Sequence, residues 1–462
     1  MVNGLQRKKS VVVKFSDSGA HEHATAKGGL GVMEALARRT GLWSSCDRLL
    51  PARKDPGQGF TPTAVVSAMV HGLLSGGRGF EVTEPMRGDT PLLRLLGLGR
   101  APSAETVEEV TKYLAGCEGH AKLAEITHGQ CLEFVRREKR KEMLNADGFA
   151  LVWADGSLLE VDGRKFEALK SYGGKCGQLV AACYVGPYLL ASDFADEGEG
   201  ELELSRGFLR SSAKRLLSET NLLPSALVLL DSLYGDGPTL DLLEQDLEGA
   251  SYIVGANKLA ETQKQMASFG ESDWSETGAN KRRGWEESAL CAFWLECEGW
   301  KGKRLCVGRR WKNKGDMIYH YSAVVTNVSR SDKRVLGKIK REKLGSFEQA
   351  IWRLYDEKQG LENNWKSLLC DMGLHHPVSS KVQANAIFFS VAGLAYNLAT
   401  GLRRLALEGD SRSMRLWRVR RDVIDMAARV TTHSRNVVAH LLDARDRLVQ
   451  QLRAAMMRVA RL

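Results

Sequence analysis

Residues 351–369, IWRLYDEKQGLENNWKSLL, set one carboxylate between two ammonium groups and a phenol. Tyr355, Lys358, Glu362 and Lys366 are spaced by three, four and four positions, so they form a row along one helix face. Leu361, Trp365, Leu368 and Met372 make an apolar stripe beside it, able to seat the helix on a core. An isolated row of this kind is ordinarily a solvated face with i,i+4 Glu–Lys pairs. It becomes chemistry when other carboxylates meet it. Two stand at the ends of apolar runs: Asp155 closes FALVWAD (149–155) and Asp231 closes ALVLLD (226–231). Strand ends in an α/β sheet border the crevice where ligands bind, and a helix packed there brings Glu362 to the same edge. Three such carboxylates supply the hard oxygen ligands of Mg2+. Two ions about 4 Å apart can clamp the attacking and leaving oxygens of an in-line phosphoryl displacement.

Each aspartate also has a plainer reading. Asp147, Asp155 and Asp162 all precede glycine, and Asp-Gly is a turn dipeptide. Asp231 resists that reading, because a charged residue rarely closes a buried strand. Asp236, a little further on, is expected to cap the next helix.

The elements that must position these groups change character along the chain. Residues 1–142 read as helical: one helix from about Met33, one from Thr61-Pro62 through Leu74, and a third with Thr106 and Glu109 as capping box. RREKRKE (136–142) reads as a linker. Residues 146–257 alternate short apolar runs with helices, which describes an α/β sheet of mixed direction. Residues 258–345 hold five of the ten tryptophans and strand-like runs, a β-rich insertion. Within it, GRRWKNKGD (308–316) surrounds Trp311 with Arg309, Arg310, Lys312 and Lys314, a mixture suited to phosphates beside an unstacked base; the alternative is that Trp311 caps an apolar patch among the strands. Trp294 is expected to cover apolar core. Residues 346–400 return to the sheet domain, and NAIFFSVAGLAYNLATGL (385–402) is expected to be a buried helix interrupted by Asn385 and Asn397.

The net charge is +10, with a pI near 9.1, which suits a polyanionic partner. Residues 401–462 carry 14 arginines, no lysine and 6 acids. Arg412, Arg415 and Arg418 recur at helical spacing, as phosphate binding by forked donors requires. The nine cysteines include no Cys-x-x-Cys pair and read as reduced thiols. His128-x-x-Cys131 and the His21/His23 pair are too sparse for zinc. Arg7, Lys8 and Lys9 precede an apolar stretch of only Val11–Val13, too short for a signal peptide, and no window matches a membrane span.

Taken together, YDEKQGLENNWK, LLDSLYGDG, GGLGVMEAL, APSAETV and NAIFFSVAGLAYNLATGLRRL resemble segments of bacterial insertion-sequence transposases of the DDE type. In the relevant branch the third carboxylate lies in a Tyr-x2-Arg-x3-Glu-x6-Lys helix that follows a β-rich insertion. Here Tyr355 and Glu362 match, Lys358 stands where that signature has arginine, and Leu369 occupies the final lysine position, with Lys366 nearest to it. Leu233 replaces a usual glycine in the aspartate turn. The resemblance implies an α/β fold with a ribonuclease H-like mixed sheet core, the insertion, and helical N- and C-terminal regions. It implies catalysis by Asp155, Asp231 and Glu362, holding two Mg2+ ions for which Mn2+ can substitute. Tyr355, Lys358, Lys366, Arg309, Arg310, Trp311, Arg412, Arg415 and Arg418 would contact DNA. The partner would be double-stranded DNA at element ends and target, bound by a homodimer in the bacterial cytoplasm, on the nucleoid and at no membrane. The alternatives are a transposase-derived DNA-binding protein that no longer cuts, and a stand-alone nuclease.

Overall fold

The structure, a computed structural model, describes residues 23–53, 59–162, 165–256, 260–433, 436–441 and 446–462. The basic N-terminal segment and His21 lie outside these residues. At the centre is one mixed sheet. Its strands are β1 (Ala150–Glu160), β2 (Leu169–Tyr172), β3 (Lys175–Val185), β4 (Tyr188–Phe194), β5 (Ala226–Leu230), β6 (Ser251–Gly255), β7 (Ser275–Glu276), β8 (Trp285–Leu295), β9 (Arg304–Asn313) and β10 (His320–Thr326). β3 pairs antiparallel with β1, β2 and β4, whereas β1, β5 and β6 run parallel to one another. β5 is apolar at every position and wholly buried, as a parallel strand covered on both faces must be. The expected insertion extends this sheet: β10 pairs antiparallel with β6, and β9, β8 and β7 follow in order. Sheet and insertion thus share one continuous hydrogen-bonded ladder.

β1 does not stop at Asp155. It continues to Glu160, pairing Asp155 with Ala182 and Gly156 with Ala181 on β3. The Asp-Gly dipeptide is therefore in mid-strand, because tertiary pairing overrides its turn preference.

The helix Val382–Gly401, continued by a wider turn to Ala406, is long and apolar enough to cross a membrane, yet it lies inside the protein. Its two asparagines satisfy backbone and side-chain groups that such burial would orphan. Asn397 accepts from the Leu189 N–H at 2.9 Å and donates to the Leu189 carbonyl at 2.8 Å, and Asn385 donates to Gln178 at 2.6 Å. It packs on β4 and on the helix Gly119–Arg137, so sheet and N-terminal helices share one core.

The N-terminal helices form with shifted boundaries. The first is Leu30–Arg39, and Thr61 caps Pro62–Leu74 by accepting from the Ala64 N–H. The third starts earlier than the capping-box pattern suggests: Ser103, accepting from the Thr106 N–H, caps Ala104–Ala115. The 136–142 segment is no free linker either. Glu138 is buried, bonded to Arg404 at 2.7 Å and to the Tyr188 hydroxyl at 2.5 Å.

The C-terminal region departs most. In place of one arginine-lined helix there are short turns (409–413 and 416–424), a hairpin of Ala428–His433 with Asn436–Leu441, and a helix Asp446–Arg461. The hairpin pairs with Ala24–Thr25, tying the two ends of the described chain together. The nine cysteines are all free thiols, most of them buried.

Candidate active site

Register brings the two aspartates together. Trp153 of β1 sits opposite Leu229 of the parallel strand β5, and Asp155 and Asp231 each lie two residues beyond that pair. Adjacent strands are about 4.8 Å apart, so the two carboxylates emerge side by side at one level of the sheet. Asp231 follows the last residue of β5 and accepts the Leu233 N–H at 2.6 Å, which fixes its carboxylate at the start of a tight turn. Asp236 stands at the N-cap position of the next helix, Gly237–Gln245, but its side chain caps no backbone N–H; its carboxylate is held by Arg206.

The helix that carries Glu362 is not continuous. Phe347–Asp356 and Lys358–Lys366 are separated by a break at Glu357, and a wider turn follows at Ser367–Asp371. The break is held from outside: Asn145 donates to Glu357 at 2.8 Å and Lys338 approaches it at 3.4 Å. Beyond it, Lys358 is buried, with its ammonium 3.3 Å from the half-exposed Glu362 carboxylate. Before it, the Tyr355 hydroxyl donates to the Leu230 carbonyl at 3.2 Å, directly beneath Asp231. Gly255 makes that approach possible, since a Cβ there would lie 2.9 Å from the hydroxyl oxygen.

A fourth carboxylate, missed in the sequence, joins the group. Glu201 opens the helix Glu201–Phe208, and a Cβ on Gly156 would sit 2.5 Å from its carboxylate. The Tyr234 hydroxyl, 2.9 Å from Ser205, donates to Glu201 at 2.7 Å. The signal was the acid-rich ADEGEGELE (195–203) that leads into this helix.

The electrostatics record the crowding. Burial pushes the Asp155 carboxyl up to about 7, and the carboxylates of Glu201, Asp231 and Glu362 add to the rise against the opposing pull of Lys358. Asp155 thus carries a proton through much of the acidic range. Among the described residues no three His, Cys, Asp or Glu side chains stand close enough to hold one ion as they are. The donors are nevertheless of the hard oxygen type that Mg2+ takes, they feel one another's charge, and the cation they share is Lys358.

The remaining sequence-derived candidates are spread more widely. Lys366 is exposed in the last turn of the Glu362 helix. Arg310 is turned inward, 3% exposed, and held by Glu271 and Glu276, so it is spoken for within the protein. Trp311 is half-buried in a row, stacked on Trp285 at 5.1 Å and on His320 at 5.5 Å. Both sides of its ring face other rings, which leaves no open platform for a base. Trp294, expected to cover core, is 66% exposed. Arg309 lies between the rings of Trp352 and Trp285, at 3.7 and 4.8 Å. Arg412 pairs with Glu142, Arg415 with Asp371 and Arg418 with Asp422. Arg412 lies in the first short turn, while Arg415 stands just before the second and Arg418 within it, so the three do not line one continuous helix face.

The sequence profile of the family described as Transposase DDE domain group 1 matches residues 208–462, more than half of the chain. The chain belongs to that family, and is a DNA transposase of the DDE type. Among solved structures it is similar to a piggyBac transposase synaptic complex with hairpin DNA, determined by cryo-EM. The TM-score is 0.40 and the identity 10%, over 88% of this chain and 82% of that one. No curated protein matches the chain.

Proposed function

We propose that this transposase cuts DNA at the ends of an insertion sequence and joins the freed 3′ ends to a target, by metal-dependent phosphoryl transfer at Asp155, Asp231 and Glu362. The observation that carries the reading is the register of the sheet: Asp155 and Asp231 emerge side by side on adjacent parallel strands, within electrostatic reach of Glu362. The order of three antiparallel strands followed by two parallel ones supports a ribonuclease H-like core.

Asp155, Asp231 and Glu362 would hold divalent cations, Mg2+ or Mn2+, which when bound supply an acidic water and charge stabilisation at phosphorus. Glu201 is near enough to contribute a fourth oxygen donor. The chain's own groups do the rest by position and charge. Asp155 releases its proton as positive charge enters the cluster. Lys358 keeps a buried ammonium beside Glu362 and can turn that charge to a phosphate. Tyr355 holds the end of β5, so that Asp231 stays level with Asp155. Lys366, exposed on the same helix, reaches the backbone of bound DNA. Two copies would pair the two element ends.

Purified protein incubated with candidate element-end DNA and Mg2+ tests the reading. Cleaved and joined products are both expected, with neither formed by Glu362→Gln. Cleavage without joining would reduce the protein to a nuclease, and binding without cleavage would overturn the proposal.

A further inference from the structure

Strand β9 carries three arginines with contrasting surroundings. Arg304 is clasped by Asp241 and Glu244 at 2.7 Å each, and Arg310 by Glu271 and Glu276. Among the described residues no carboxylate clasps Arg309 in this way. Its Nε is buried without a hydrogen-bond partner among the described residues, and the groups against it are the rings of Trp352, Trp285 and Trp311. Burial, with Arg283 nearby, pushes it down to about 10 against the opposing charge of Asp356, so it stays charged at neutral pH with no carboxylate bonded to it among the described residues. A guanidinium taken from water and given no anion is costly. Aromatic rings hold its two faces but leave the N–H edge without an acceptor.

Arg309 lines a cavity of about 550 Å3 between the 277–285 segment and the helix Phe347–Asp356. Lys281, Arg283 and Arg353 share the lining, against a single carboxylate, Asp356, which Arg283 already holds at 2.6 Å. A second cavity of about 800 Å3 shares the Arg283, Arg353 and Asp356 walls and adds Arg282 and Lys338, but Glu342 and Glu357 line it too, so the excess of cations belongs to the first cavity. Asp356 adjoins Tyr355, whose hydroxyl reaches the strand end below Asp231. Four cations to one engaged carboxylate, beside the catalytic helix, is a receptor for an anion.

We propose that this cavity binds a backbone phosphodiester of the DNA strand, with the Arg309 fork as its principal donor and Trp285 and Trp352 as the rings that hold the fork flat. The proposal rests on the DNA-cleaving reading above and adds a phosphate grip outside the carboxylate cluster. Lysine could not substitute, because a compact ammonium neither stacks between two rings nor presents two parallel N–H donors.

The test is binding of a fluorescein-labelled 15-nucleotide dT strand, by anisotropy, from 50 to 300 mM KCl. Arg309→Gln should weaken binding several-fold and flatten the plot of log affinity against log salt by roughly 0.7 for one lost phosphate contact. Arg309→Lys should not restore the wild-type affinity. A folded Arg309→Gln with wild-type affinity and slope overturns the receptor, whatever the protein cuts. Should that variant not fold, Arg353→Gln, at the exposed mouth, must itself lower the slope; an unchanged slope is then the overturning result. Cleavage surviving in Glu362→Gln would instead overturn the catalytic reading and leave the receptor standing.

Discussion

Two aspartates, one just before a strand and one in its middle, meet opposite fates. Asp147, just before β1, is 8% exposed yet fully compensated: Lys338 lies 2.8 Å away, Arg341 is bonded to it, and these partners hold its carboxyl below the usual range despite burial. Asp155, eight residues on, is pushed up by burial first and then by three neighbouring carboxylates, against the pull of Lys358, and its carboxyl rises to about 7. The first arrangement is finished within the chain and joins the turn before β1 to the helix Lys333–Glu342. The second is incomplete and has use for more positive charge than the chain supplies. A carboxylate with its cations in place is structural; a cluster short of cations marks the site of chemistry.

The largest effect expected from this contrast is on turnover. Asp155→Asn, Asp231→Asn and Glu362→Gln should each lower Mg2+-dependent cleavage by on the order of 10^3-fold or more, comparable to deleting a main charge-stabilising group. DNA affinity, set by basic side chains, should change little. Asp147→Asn should lower cleavage only in proportion to the protein lost to unfolding. If Asp155→Asn cuts normally, the assignment of the cluster fails.

Stability should reverse the ranking. Asp147→Asn leaves Arg341 with only Glu342, at 3.5 Å, and Lys338 short of one of its carboxylates, a cost of about 3 kcal/mol for breaking a buried pair. Asp155→Asn, in metal-free protein, removes a group that is already near-neutral and should cost less than about 1 kcal/mol or even stabilise. Urea unfolding of both variants in EDTA settles the comparison, and equal losses would erase the distinction between the two aspartates.

Acidity should separate them by sign. Asp155 has a raised folded pKa, so its contribution to stability is full below its ordinary value near 3.8 and is lost as pH rises through about 7. Asp147 has a lowered one, so its contribution is present above that ordinary value and lost as pH falls below it. In EDTA the wild type should therefore lose on the order of 2 kcal/mol between pH 4.5 and 7.5 relative to Asp155→Asn, after allowance for solvent screening. A wild-type curve parallel to that of Asp155→Asn would mean that Asp155 titrates normally.

Much of this site was legible before any coordinates. Runs such as ALVLL could be little but buried strands, and the Lys358–Glu362 pair follows from helical spacing alone, although the break at Glu357 separates Tyr355 from it. Three things were not legible, each for a physical reason. Asp155 looked like a turn because Asp-Gly favours one, and the pairing with Ala182 that holds it in a strand is a long-range contact. Glu201 was hidden because its closeness to Asp155 depends on a missing Cβ at Gly156, a fact of packing rather than of spacing. The arginine tail kept its helical spacing but not its helix. Arg412, Arg415 and Arg418 each find a carboxylate, two of them on other parts of the chain, and periodicity carries no information about such partners.

The smallest effect sharpens the comparison most finely, because it concerns alignment and not charge. Tyr355 touches neither end of β1; its hydroxyl holds the Leu230 carbonyl at 3.2 Å, one residue before Asp231. The resemblance to known transposases assigns the corresponding tyrosine to DNA, whereas this hydroxyl is engaged inside the protein. Tyr355→Phe keeps the ring against Trp352, at 5.8 Å, and removes a single hydrogen bond worth about 1 kcal/mol. If that bond keeps Asp231 level with Asp155, the variant should bind element-end DNA with unchanged affinity and salt slope while kcat falls about fivefold. A loss confined to affinity, with kcat intact, would return Tyr355 to the DNA surface and leave Asp231 held by the Leu233 N–H without it.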